Sequence, residues 1–124
     1  MQTYLFVALG GSCGACFRYW LYNAHPILQQ KTGLATWLIN VSGSFLMGLV
    51  FIVVTERSGL SPHWRSLIGV GFLGAYTTYS TYSLDALQLL QRGDYALALL
   101  YLLGTMLACL LAVGAGYALG RLLL

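Results

Sequence analysis

Gly71-Phe72-Leu73-Gly74-Ala75-Tyr76 runs straight into Thr77-Thr78-Tyr79-Ser80-Thr81-Tyr82-Ser83, and the junction between the two decides the fold. The first part is apolar and punctuated by glycine. The second fills seven consecutive positions with five serines and threonines and two tyrosines. Their β-branches and hydroxyls compete with the regular hydrogen bonding of a helix. A stretch this polar inside a hydrophobic segment predicts a helix broken near its middle. Backbone groups freed at membrane depth must be buried in protein or line a polar cavity, and discontinuous helices are where membrane proteins commonly bind ions. The alternative is a kinked but continuous helix whose hydroxyls bond back onto the preceding turn.

The chain around this stretch reads as an all-α integral membrane protein. Of its 124 residues, 59% are hydrophobic and 7% charged, against about 25% charged in a soluble domain. Four apolar segments, residues 3–22, 36–55, 64–90 and 95–123, each reach the roughly 20 residues that a bilayer core requires. The third contains the predicted break. The links, 25–33, 56–62 and 91–94, are short, so sequential helices are expected to be antiparallel neighbours. No internal repeat is visible, and residues 1–124 read as a single four-helix domain. The first segment lacks a basic start and a clear cleavage site, so it reads as a retained helix and not a signal peptide. Gly10 and Gly14, Ser44 and Gly48, and Gly116 and Gly120 lie four apart, the spacing that lets helix backbones approach closely in membranes.

The distribution of charge bears on assembly. Four spans put both termini and the second link on one side, with Arg57, Arg65 and Arg121. The other side carries Arg18, Lys31 and Arg92. Orientation normally follows an excess of Lys and Arg on the cytoplasmic side, and three against three gives no excess. A chain that inserts both ways can pair with its own inverted copy, which predicts an antiparallel, dual-topology dimer. The net charge of +3 is spread without a basic run, so nucleic acid is not an expected partner.

The polar residues inside the spans define the available chemistry. Asn40, in the second span, is costly in a membrane unless paired. It serves either an ion or a helix–helix hydrogen bond. Arg18 sits beside Tyr19, Trp20 and Tyr22, an aromatic belt, where it either snorkels or supplies positive potential at a vestibule. Asp85 follows the hydroxyl stretch and suits a watery vestibule or a basic partner. Tyr101, Thr105 and Cys109 fall on one helix face, as a hydroxyl track or as packing. Paired carboxylates, nucleotide fingerprints and metal-ligand sets are missing, which argues against an enzyme. Cys13, Cys16 and Cys109 read as small packing residues. What remains is hydrogen-bond donation from amide, hydroxyls and ring edges, which solvates anions.

Three segments resemble the CrcB/Fluc fluoride channel family, in the right order. They are the glycine-rich stretch from Gly10 to Arg18-Tyr19, the segment Thr36-Trp37-Leu38-Ile39-Asn40-Val41-Ser42-Gly43-Ser44-Phe45, and residues 71–83. Length and four-span layout agree, so the resemblance covers essentially the whole chain. It implies an antiparallel homodimer with two fluoride pores, and a structural sodium ion at the dimer centre held by backbone carbonyls of Gly74 and Thr77. It places Asn40, Thr36, Tyr79, Ser80, Tyr82, Tyr101 and Thr105 along the pore and Arg18 at the vestibule. Tyr79 and Tyr82 depart from the family's usual phenylalanines, Ala75 from its second glycine, and Cys109 from a frequent serine or threonine.

The expected function is a passive, fluoride-selective channel in the plasma membrane of a microbe (the inner membrane in a bacterium), multi-pass and surrounded by lipid. A narrow track of donors replaces the ion's water and rejects larger anions. The membrane potential drives anions outward at about 2.3 kcal/mol per charge per 100 mV. The rivals are a small dual-topology, proton-coupled exporter, which needs a membrane-embedded carboxylate absent from the first span, and a pore-less structural or heterodimer subunit.

Overall fold

The computed structural model describes residues 1–30, 32–56 and 60–124. Helix α1 is Gln2–Asn23 and α2 is Leu34–Glu56. Helix α3, residues 62–76, begins at Pro62, widens into a π-helical stretch Arg65–Leu73 and closes with Gly74–Tyr76. Helix α4 is Tyr79–Gln91 and α5 is Tyr95–Leu123. The four expected segments therefore appear, the first three with ends displaced by one or two residues and the fourth with the expected bounds. Lys31 and Arg57, two of the six basic residues in the charge tally, lie outside the described residues.

Local chemistry accounts for the ends. Ser61 caps the start of α3 with Pro62 in its first turn, where a missing N–H costs nothing. The turns before α2 and after α4 use Gly33 and Gly93 at φ of +79° and +80°, a region open to glycine and closed to most other residues. A Cβ at Gly33 would also meet the Tyr101 ring.

The break falls where the polar stretch begins. Thr77 (φ −75°, ψ 155°) and Thr78 (φ −148°, ψ 119°) are extended, so the third span is two helices and not one kinked helix. The side chain of Thr78 then starts α4 by accepting the Thr81 N–H at 3.2 Å, a cap worth about 1 kcal/mol.

One expectation is corrected. The closest backbone packing joins alternate spans, not consecutive ones. Gly48 and Gly116 of α2 and α5 lie against the carbonyls of Val113 and Phe45, and Gly120 lies against Ile52. Gly10 and Gly14 of α1 lie against the carbonyls of Leu67 and Phe72 of α3. Contacts advance along both helices in the same direction, so each pair is parallel. The cause is steric: only the glycine faces allow backbones this close, and those faces are matched across alternate spans. The link from α4 to α5 does make antiparallel neighbours, with Leu89 beside Ala98 and Tyr82 beside Tyr101.

Two small clusters form the core, one around Ile39, Leu73 and Tyr76, the other around Tyr82, Ala86, Leu89, Ala98 and Tyr101. Much of the remaining surface is leucine; Leu99, Leu100, Leu107, Leu110 and Leu111 of α5 are all exposed. Helices α2 and α5 are each long and apolar enough to cross a membrane. A continuous apolar surface of this kind is foreign to proteins bathed in water.

Candidate functional site

Breaking a helix inside an apolar protein leaves polar backbone groups to satisfy. Asn40 does this for Thr78 at two points. Its Nδ2 donates to the Thr78 carbonyl at 2.9 Å, and its Oδ1 accepts the Thr78 N–H at 2.8 Å. Only one orientation of the amide meets both demands. One Nδ2 hydrogen is left over. Of the two alternatives for Asn40, the pairing within the protein is the one seen, and the residue also faces a cavity.

That cavity has a volume of about 580 Å³ and lies between α2, the break and α5. Its polar lining comes from Asn40, Ser44, Thr77, Thr78, Tyr79, Tyr82 and Thr105, with Cys109 one turn beyond Thr105. Gly43 also lines it, where a Cβ would run into the Thr77 side chain. The α4 N-terminus opens at the same place, and the free N–H groups and dipole of a helix N-terminus favour negative charge. Tyr79 is 80% exposed and Tyr82 only 9%; their rings stand 5.4 Å apart at 52°. The Tyr82 hydroxyl donates to the Leu102 carbonyl at 2.7 Å. Thr105, 3% exposed, has a buried hydroxyl with no hydrogen-bond partner.

Thr36 and Tyr101 are drawn to a second place. Thr36 Oγ1 donates to Asp85 Oδ2 at 2.5 Å, and Tyr101 Oη donates to the same oxygen at 3.1 Å. Tyr22 Oη lies 2.6 Å from Thr36 Oγ1. Because Thr36 gives its hydrogen to Asp85, Tyr22 must be the donor to Thr36. A chain of hydroxyls therefore converges on one carboxylate, at the wall of a cavity of about 380 Å³ also lined by Asn23, Gln29, Gln30 and Gln88. The Tyr82 ring lines the first cavity, and its centroid is 5.4 Å from that of Tyr101, whose hydroxyl reaches Asp85 at the second. Ser80 lies outside both linings; its hydroxyl is 3.3 Å from that of Thr78.

Arg18 reaches the break from α1, with Nη1 3.4 Å from the Thr77 carbonyl oxygen. Gly74, on the opposite side of the break, has lost its ladder donor, because the Thr78 N–H goes to Asn40. The Gly74 and Thr77 carbonyls are thus both left without a ladder donor at the C-terminal end of α3, where the dipole is negative. Unwound carbonyls of this kind are the usual ligands of sodium in broken membrane helices. Carbonyl oxygens are the kind of ligand sodium takes, and Gly74 lies at the chain's own surface. Two carbonyls alone fall short of a full shell. Arg18 brings a positive charge to the same Thr77 oxygen, which opposes a second cation there.

Sequence reasoning left two roles unread. Thr78 forms both the stitch and the cap of the break, yet in sequence it is one hydroxyl among five. Asp85 organises Thr36, Tyr101 and Tyr22; its signal was that it is the one acidic residue within a predicted span.

Comparison with known proteins adds a second line of support. The family described as CrcB-like protein, Camphor Resistance (CrcB), matches residues 5–117. Among curated relatives, the Fluoride-specific ion channel FluC of Hahella chejuensis is 45% identical over 124 residues, covering 97% of this chain and 95% of that protein. The protein of the same name from Magnetococcus marinus is 44% identical over 118 residues, 94% of this chain and 96% of its own length. That of Saccharophagus degradans is 42% identical over 110 residues, 89% and 83% respectively.

Proposed function

The chain belongs to the CrcB-like family, and from that premise we propose that it is a fluoride-specific ion channel through which fluoride leaves the cell passively. The observation that carries this reading within the chain is the unpartnered Thr105 hydroxyl in the cavity at the break. A buried O–H without an acceptor is costly in an apolar setting, and a dehydrated anion removes the cost. Fluoride gives up its water only to a dense set of donors. The Asn40 amide, the Thr105 hydroxyl and the ring edges of Tyr79 and Tyr82 form such a set.

The pore we propose enters at a vestibule near Arg18 and passes Asn40, Tyr79, Tyr82 and Thr105. It leaves through the second cavity past Thr36 and Tyr101, with Ser80 supporting the cap of α4. All four spans cross the plasma membrane, the bacterial inner membrane, as one channel domain with no catalytic step. Two copies pair antiparallel in dual topology. Gly74 and Thr77 of each would hold a structural sodium ion, which neutralises carbonyl dipoles at the dimer centre. The exposed leucines of α5 meet lipid and partner.

The test is efflux from liposomes loaded with fluoride, read by a fluoride electrode. Purified protein should release fluoride and retain chloride, and replacing sodium by a much larger cation should lower the rate. Equal release of both halides would overturn fluoride selectivity. Release of neither would favour the pore-less subunit.

A further inference from the structure

Three consecutive residues at the break each take their own place on α2. The Tyr76 hydroxyl lies 2.9 Å from the Ser42 hydroxyl. Thr78 is held by the Asn40 amide at 2.9 and 2.8 Å. Thr77, between them, meets α2 by shape. Gly43 is buried, and a Cβ built on it would stand only 2.3 Å from the Thr77 Cγ2. The next atom, on the Tyr76 ring, is at 3.2 Å. The Thr77 methyl is therefore the main occupant of the space that a side chain at position 43 would need.

That methyl has little freedom to leave. The Thr77 hydroxyl donates to the Leu73 carbonyl at 2.9 Å, and a β-branched side chain is stiff at χ1. Turning the side chain away would give up this bond. The other relief is for the break to back away from α2 by roughly 1 Å, which restores ordinary carbon contact and carries the two Asn40 bonds beyond hydrogen-bonding distance. Asn40 and Gly43 are three apart on one helix, so they share a face of α2. Thr77 and Thr78 are joined by one peptide bond. The methyl contact at Gly43 and the stitch at Asn40 thus move together.

We infer that Gly43 is a positioning residue for the fluoride path: its missing side chain is a notch for the Thr77 methyl, and the notch sets the distance at which Asn40 holds Thr78 and keeps its spare N–H in the cavity. Gly43 offers the ion no donor side chain and acts through Asn40. The inference rests on the fluoride-channel reading and adds to it what aims one of the donors.

A mutant cycle tests this, with efflux from liposomes giving the half-saturating fluoride concentration and the maximal rate, and with Tm read on the detergent-solubilised protein. Gly43→Ala in the otherwise unchanged chain should raise the half-saturating concentration about tenfold, the scale of one lost hydrogen bond to an ion, and lower the Tm. Thr77→Ser removes the methyl and keeps the hydroxyl. In that background Gly43→Ala should cost less than about threefold, with most of the Tm loss recovered. In an Asn40→Leu background, where the stitch is already gone, Gly43→Ala should lower the Tm less than about half as much as in the unchanged chain. Equal cost in the unchanged and Thr77→Ser chains overturns the inference, as does a silent Gly43→Ala. Equal Tm loss in the unchanged and Asn40→Leu chains also overturns it, because the notch would then serve packing alone. If Gly43→Ala does not fold, adding Thr77→Ser should restore folding, and failure to do so has the same consequence. An unchanged chain that passes no fluoride overturns the channel reading instead, and the Tm comparisons then still decide whether the notch sets the stitch.

Discussion

The two cavities both draw on hydroxyl side chains and use them in opposite ways. At the break, the Thr105 hydroxyl is free, one Asn40 hydrogen is uncommitted and Tyr79 is open. Around Asp85, the hydroxyls of Thr36, Tyr101 and Tyr22 are all engaged by a single carboxylate or by one another. Donors satisfied by an internal acceptor stabilise the fold and offer little to a passing anion. Donors left open do the reverse. The first cavity therefore leaves donors open, whereas the second spends its hydroxyls on holding four helices, α1, α2, α4 and α5, in register.

The largest effect that can break this comparison is at Asn40, which belongs to both kinds. Asn40→Leu removes the acceptor of the Thr78 N–H and the donor to its carbonyl, leaving two backbone groups unsatisfied at about 1–3 kcal/mol each. Fluoride efflux should fall by at least about 100-fold, and the detergent-solubilised protein should unfold well below the unchanged chain. Full stability with lost flux would mean that the stitch is dispensable and only the spare hydrogen matters.

Next in size is Thr36→Val, which keeps the shape and removes the hydroxyl. Tyr22 then loses its acceptor, and Asp85 keeps Tyr101 alone. A loss of about 1–3 kcal/mol of stability follows, visible as a lower Tm by circular dichroism. An unchanged Tm would show that the Asp85 network is not holding the helices together, and the contrast between the cavities would fail on that side.

The same contrast marks what the sequence made legible. The glycine-to-threonine junction announced a broken helix, because β-branched and hydroxyl residues in mid-span oppose a regular ladder, and the break lies at Thr77 and Thr78. Asn40 was legible as a residue that needs a partner, an ion or another helix, because an unpaired amide is costly in a membrane, and the partner is the backbone of Thr78. Which hydroxyls are free and which are engaged was not legible. Thr36, Tyr101 and Thr105 look alike in sequence, and the difference arises from rotamers and from a carboxylate 49 positions away from Thr36. Pairing of alternate spans was equally hidden, since the four-residue spacings of Ser44 and Gly48 and of Gly116 and Gly120 show that each helix can approach a backbone but not whose.

Thr105→Val sharpens the comparison from the other side. The hydroxyl has no partner to lose, so replacing it with a methyl should leave stability within about 0.5 kcal/mol or raise it. A drop in Tm as large as that of Thr36→Val would mean that the Thr105 hydroxyl is engaged in the assembled protein, and the free-donor account of the first cavity would be wrong.

The smallest effect is expected at Tyr79, and it separates ring from hydroxyl. Tyr79 lines the cavity with its ring tilted against that of Tyr82, and it is largely exposed. A ring edge carries partial positive charge whether or not the ring bears a hydroxyl. If the edge positions fluoride, Tyr79→Phe retains it, and flux should stay within about twofold of the unchanged chain or rise. Tyr79→Ile removes edge and hydroxyl together and should lower flux by about tenfold or more, the cost of one anion-facing contact. Efflux from liposomes reads both variants on one scale, with Tm as the control for folding. Equal loss in the two would make the hydroxyl the ligand, and Tyr79 would then belong beside Thr105 as a free donor. Silence in both would remove Tyr79 from the path and leave Asn40, Tyr82 and Thr105 to define the anion site.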